Sequence, residues 1–236
     1  MGGKKMFFGG GIRSQFSFPI LAYIKSWDGA NLDSSGKVSS LTDLTGNGHD
    51  FIPSGTTNPE LVPIGINGVP SIRFNGYNGL QNLDQLIEEF NYPAYWIVFK
   101  LEATSGVSYH AINMISATIT NPSSYAQIYN SGTSSNNFHL RDNSSTDLSI
   151  TTGSQLANNY LIAKHEENEK YFSLNGGVYV SKVTTKLPKG NVFIGKWNTG
   201  GAKMLFCEFG IIKNSIDFGL SEKAELEAYL LDKYNI

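Results

Sequence analysis

The sequence predicts an all-β protein: an antiparallel sandwich of two sheets, closed by a single C-terminal α-helix. Three observations carry this. Short runs of β-branched and aromatic residues recur along the chain, each bounded by Gly, Asn or Pro. Inside one of them stands Asn175-Gly176, a pair suited to the positive φ angles of a tight hairpin turn. Apolar residues at convincing helical spacing occur only after Ser221.

Taken in order, "FSFPILAYI" (16–24), "AYWIVFKL" (94–101), "NYLIAKHE" (159–166), "KYFSLNGGVYVSK" (170–182) and "NVFIGKW" (191–197) read as strands. In "MLFCEFGII" (204–212), strict alternation puts Leu205, Cys207, Phe209 and Ile211 on one face. Met204, Phe206, Glu208 and Ile212 take the other, so the strand should be covered on both sides. Glu208 is the exception, and buried there it needs donors. For the closing helix, Ser221 is the expected N-cap, and Glu222, Glu225 and Glu227 suit its positive end. Leu226, Tyr229, Leu230 and Tyr234 form its apolar stripe. A weaker helical turn is expected at "LDQLIEEF" (83–90). Residues 104–152 are rich in Ser, Thr and Asn, yet Tyr125, Tyr129 and Phe138 argue for ordered hairpins with long loops.

No internal repeat or second boundary is visible in the 236 residues. Residues 1–11 read as a flexible docking segment and 12–236 as one domain. The formal charge of -2 and the 16% charged content leave no basic stripe, so nucleic acid is not an expected partner. The longest apolar runs are too short to cross a bilayer, so membrane insertion is not expected either. "MGGKKMFFGGG" lacks a secretory apolar region, which implies cytoplasmic synthesis without a signal peptide. With one cysteine, Cys207, no intrachain disulfide can form.

"TDLTGNGHDF" (42–51) has the look of a calcium loop, with Asp43, Thr45, Asn47 and Gly48 at the early ligand and turn positions. The twelfth position, which must supply a bidentate carboxylate, is Ser54. A turn explains every residue instead: Gly46, Asn47 and Gly48 take the backbone angles and Asp43 bonds nearby amides. No metal and no cofactor are expected.

"GKVSSLTDLTGNGHDF" (36–51), "NGVPSIRFNGYNGL" (67–80), "FSLNGG" (172–177) and "FCEFGIIKN…LSEKAELEAYLLDKYNI" (206–236) occur in an order that resembles the concanavalin A-like lectin/glucanase superfamily, in its laminin-G-like jelly-roll branch. The resemblance covers roughly residues 20–236 and implies a jelly-roll sandwich. Glucanases of that superfamily present two glutamates and an aspartate on one strand face. Here Glu208 stands alone, so paired-carboxylate hydrolysis lacks its second group. His49, His110, His139 and His165 are scattered, without a nucleophile motif. The chain is therefore expected not to be an enzyme.

Sugar binding needs flat aromatic faces with amide, carboxylate or guanidinium groups beside them. The candidates are Trp197 with Asn198, Tyr125 and Tyr129, and His139, Arg141 and Asp142 of "FHLRDN". Each has a plainer reading, Trp197 as a core lid and the tyrosines as cross-strand pairs. Met6, Phe7 and Phe8 stand on a Gly-flanked stalk and suggest docking. Domains of this kind with a short anchor are similar to those in bacteriophage structural proteins. That resemblance leads to the expectation of a non-enzymatic virion module (capsid decoration, head fibre or tail). It would be multicopy or homo-oligomeric, joined to other virion proteins through its front segment and presenting a face for host-surface glycans. The alternatives are a glycan-active enzyme or its accessory carbohydrate-binding domain, and a decoration protein with no ligand.

Overall fold

Strand β8 (Ala94–Leu101) shows how the sandwich is built. Tyr95, Ile97, Phe99 and Leu101 enter one core while Ala94, Trp96 and Val98 enter another, and all seven are buried. In the computed structural model, which describes residues 16–87, 92–102, 109–115, 125–130, 137–142, 147–151, 156–184, 190–197 and 200–236, two antiparallel sheets face each other. The first runs β15 (Val180–Val183), β14 (Glu169–Leu174), β13 (Asn158–His165), β8, β19 (Lys203–Ile212), β6 (Ser71–Asn75), β5 (Glu60–Val62). On its far edge β19 meets β6 through its first half and β1 (Ala22–Lys25) through its second. The second sheet runs β12 (Leu148–Thr151), β11 (Asn137–Asp142), β10 (Tyr125–Asn130), β9 (Tyr109–Ile115), β16 (Gly190–Ile194), β7 (Asn78–Ile87), β4 (Ile52–Gly55). This is the expected jelly-roll sandwich.

Between the sheets lies the larger core, where the rings of Phe99 and Phe138 meet edge to face at 5.4 Å. The smaller core lies on the outer side of the first sheet, beneath helix α1 (Leu220–Tyr234). Leu226, Leu230 and Tyr234 are its buried stripe, as the helical spacing predicts. The helix starts earlier than expected, with Gly219 rather than Ser221 as N-cap, because Glu222 reaches back to accept the Gly219 amide at 2.9 Å.

Three further expectations are corrected. Residues 83–87 continue strand β7, which pairs with β16 through an irregular register and returns to the core at Leu86, while 88–90 lie outside the described residues. "FSFPILAYI" becomes a strand only at Ala22. Ahead of it, Phe16 and Phe18 stack against each other and meet Trp96 edge to face, and the Ser17 amide and hydroxyl donate to Glu225 of the helix. Pro19 has no amide to continue a ladder, which suits a packed strap better than a strand. "NVFIGKW" breaks at Gly195 (φ 82°) into β16 and a two-residue ribbon, β17 (Lys196–Trp197) with β18 (Gly200–Gly201).

The alternation in β19 is also not strict. Phe206 pairs with Phe99 and Glu208 with Val98, so Cys207 is the extra residue of a β-bulge. Leu205, Cys207 and Ile212 lie in the core under the helix, while Met204, Phe206, Phe209 and Ile211 fill the inter-sheet core. The bulge thus turns Cys207 and its successor Glu208 toward the helix side together.

Candidate functional site on the open face of the second sheet

The two sheets differ in what covers their outer faces. The first carries α1, whereas no described helix lies on the second. Register defines the second sheet's faces strand by strand. Pro53, Leu80, Ile194, Ile112, Ile128 and Leu140 form one transverse row, in which Leu80, Ile128, Leu140 and Ile194 are buried in the core and Pro53, at the sheet edge, is half-buried. The adjoining row of the opposite parity is Ile52, Gln81, Phe193, Asn113, Gln127 and Arg141. Ile52 is 44% exposed, and Gln81, Phe193 and Arg141 are half-buried, as an outer face requires. Five inter-strand steps make this row about 24 Å long. On the same parity, Tyr129 pairs in register with His139, and His139 with Ser149.

Two neighbours fix this corner. Arg141 holds Asp147 through two parallel bonds, Nε to Oδ1 at 2.7 Å and Nη2 to Oδ2 at 2.9 Å. His139 Nδ1 lies 2.7 Å from the Ser149 hydroxyl. Partial burial holds the His139 imidazole below its ordinary pKa, with Asp147 pulling the other way and Arg141 adding to the depression. Near neutral pH it is therefore an uncharged donor–acceptor. A guanidinium fork braced by a carboxylate, beside a neutral imidazole, is suited to bonding hydroxyl groups.

Of the residues predicted for sugar binding, the structure brings His139 and Arg141 together on this face, with Tyr125 and Tyr129 at alternate positions of the neighbouring strand β10. Asp142 falls on the opposite parity from Arg141, paired with Ala126. Trp197 belongs to the separate ribbon, paired with Gly200. The side chains of Tyr125, Tyr129, Asp142 and Trp197 lie outside the described set, as do Asn198 and the docking candidates Met6, Phe7 and Phe8. Asp147 and Ser149 were not legible as partners from the sequence. The one available sign was the alternation of "DLSI" (147–150) beside that of "HLRD" (139–142).

Glu208, the lone carboxylate of the catalytic comparison, is fully buried beneath the helix. Its Oε1 accepts the Trp96 indole N–H at 3.0 Å, and its Oε2 accepts the hydroxyls of Tyr229 at 2.9 Å and Tyr234 at 2.7 Å. Tyr229 in turn accepts from Lys233 Nζ at 2.8 Å and lies 3.0 Å from the Tyr23 hydroxyl. Burial first, then the Glu208 charge, pushes the Tyr23 and Tyr234 phenols well above their ordinary pKa. With both oxygens engaged and no exposed surface, Glu208 fastens the helix to the sheet. The sequence called for donors here but could not name them.

The glycine-rich turn is stitched to β1. Asp43 Oδ1 accepts the amides of Tyr23 and Thr45, both at 3.0 Å, and Oδ2 accepts the Thr45 hydroxyl at 2.7 Å and the His49 amide at 3.2 Å. Its oxygens are occupied by the chain itself, and Gly46 and Gly48 carry the positive φ angles. Ser54 stands within β4. Among the described residues no group of three or more His, Cys, Asp or Glu side chains is placed to hold a metal ion.

No known family pattern and no curated protein sequence matches the chain. Solved structures do match in fold. Domain 4 of AbnA, a GH43 extracellular arabinanase from Geobacillus stearothermophilus solved with arabinotriose, superposes with a TM-score of 0.62 at 16% identity, over 84% of this chain and 93% of that one. The Trypanosoma rangeli sialidase solved with the inhibitor DANA gives 0.66 at 8% identity, over 87% of this chain but only 32% of its own. An arabinofuranosidase complexed with arabinofuranosyl-alpha-1,2-xylobiose gives 0.61 at 10% identity, over 91% of this chain and 60% of its own. The chain thus spans about a third of the sialidase and under two thirds of the arabinofuranosidase. These similarities correct the expectation of a virion decoration module. The front segment on which that expectation leaned lies outside the described residues, and the sandwich itself is shared with β-sandwich domains of glycoside hydrolases.

Proposed function

We propose that this chain is a non-catalytic carbohydrate-binding domain of a glycan-active protein, taking a neutral oligosaccharide across the open face of its second sheet. The observation that carries the reading is the outer row ending at Arg141, polar in four of its six positions and continued by His139 and Ser149. Its length of about 24 Å suits an extended chain of several sugar units rather than a single one. The arabinanase domain of similar extent, solved with an arabinotriose, supports the ligand class. The small share of the sialidase that the fold covers supports an accessory role. The non-catalytic reading is supported by Glu208, whose two oxygens are buried and committed to three donors.

Affinity electrophoresis in gels containing arabinan, xylan or β-glucan tests this. Retardation in at least one is expected, reduced roughly tenfold or more in Arg141→Ala, which removes a charged hydrogen-bonding group. Migration unaffected by every polysaccharide, or retardation that survives Arg141→Ala in a folded variant, overturns the assignment.

A further inference from the structure

Lys25 is 7% exposed, yet among the described residues no carboxylate forms an ion pair with its ammonium. Its register partner across the ladder is Glu208, whose oxygens are taken by Trp96, Tyr229 and Tyr234. Instead Lys25 Nζ lies over three rings, 4.9 Å from the centroid of Tyr23, 5.7 Å from Trp27 and 5.8 Å from Tyr229. A second ammonium shares two of those rings. Lys233 Nζ stands 4.0 Å from the Trp27 centroid and 5.2 Å from Tyr229. Buried charges are normally paired. Here two ammonium groups crowd one aromatic box whose only buried carboxylate is already engaged, while Asp28 stands at the exposed rim.

We propose that Lys25 and Lys233 bind the carboxylate of an acidic sugar residue, a uronate, with the half-buried Trp27 beside it to receive the sugar ring. The proposal rests on the glycan-binding reading above but uses a different surface, under the C-terminal half of α1. With Glu208 committed to three donors and Asp28 out at the exposed rim, a monoanion seated between the two ammonium groups would meet both of them directly. The N–H groups of Lys25 and Lys233 that meet only ring faces or each other would gain oxygen acceptors, and charge-assisted bonds of that kind are the stronger ones. Burial together with the Lys25 charge holds the Lys233 amine down to about 8, so the site is cationic at neutral pH and weakens above it.

Isothermal titration of the full chain at pH 7 with D-glucuronate, D-glucose, acetate and inorganic phosphate tests the proposal. Glucuronate is expected to bind, glucose not to, and acetate and phosphate at least tenfold more weakly than glucuronate. Lys233→Gln should weaken glucuronate at least tenfold, Lys233→Arg should restore most of the loss, and affinity should fall between pH 7 and pH 9. Equal binding of glucose, equal binding of phosphate, or an unchanged affinity in folded Lys233→Gln overturns it. Arg141→Ala separates the two surfaces. It should reduce retention by neutral polysaccharide roughly tenfold or more yet leave glucuronate binding intact, so failure at one surface is not read as failure at the other.

Discussion

The indole of Trp96 lies against the backbone of Gly210, its register partner, so closely that a Cβ at 210 would stand 2.1 Å from ring carbon Cη2. From that position the same indole donates to Glu208. Gly210→Ala must therefore push the ring off its seat and strain the Glu208 bond with it. A loss of about 1–3 kcal/mol is expected, as for other overpacked cores. Urea unfolding of the variant beside the parent measures it, and an unchanged midpoint with unchanged slope would mean that the ring has room after all.

Glu208→Gln keeps the shape but changes the chemistry. Three donors converge on this side chain, and an amide offers one acceptor oxygen and a donor NH2 in place of the second. The tyrosine hydroxyls can rotate away, but the Trp96 N–H is fixed. Leaving it facing an NH2 should cost about 1–3 kcal/mol. Hydrogen exchange in α1 should quicken more than in the second sheet, because the helix is what Glu208 fastens. Uniform quickening across both sheets would deny it that local role.

Stability should rise with pH through a defined window. The folded Lys233 amine, held down to about 8 by burial, has an ordinary value of 10.5 in the unfolded chain. Between those values the unfolded state binds the extra proton, so the folded state gains as pH increases. Above about 10 the trend reverses, because Tyr23 and Tyr234 ionise in the unfolded chain before they do in the folded one. Unfolding midpoints at pH 7.5, 9 and 10.5 should rise and then fall. In Lys233→Met the early rise should be lost, and its persistence would assign the effect to another group.

Calcium should not stabilise the fold. Asp43 spends its oxygens on three backbone amides and the Thr45 hydroxyl. Equal melting temperatures with chelator and with millimolar calcium are expected, while Asp43→Ala should cost about 2–3 kcal/mol, the range for bonds to a charged acceptor. A melting temperature that climbs with calcium would put a metal back into this turn.

Legibility varied with the range of the interaction. Strand β8 could be read directly, because seven apolar residues on two faces admit only a central, doubly covered strand. The pair Asn175 and Gly176 announced its turn, and both carry positive φ. The helix stripe was equally plain. What escaped was set by partners far away in the chain. The bulge at Cys207 depends on the register of β8, over a hundred residues earlier, and no local pattern encodes it. Glu222 overrode Ser221 at the helix start by reaching the Gly219 amide. At the candidate site, His139 and Arg141 were legible as residue types, but Asp147 and Ser149 became their partners only through the pairing of β11 with β12. Around Lys25, Tyr23 and Trp27 are local, two residues to either side, but Tyr229 and Lys233 arrive only when α1 docks some two hundred residues later.

Strand β19 occupies the middle of the first sheet although it comes last among the described strands in sequence order. Ala22 waits for Ile211, and Ile72 for Phe206. At usual rates of translation the interval between the first pair is roughly 10–40 s. Throughout it β1 lacks its ladder partner, and β6 and β8, paired with β5 and β13, each leave one edge without a strand, open to misplaced association. A chain cut short before residue 203 would keep every strand of the second sheet but lack the one strand that joins β1, β6 and β8 into the first.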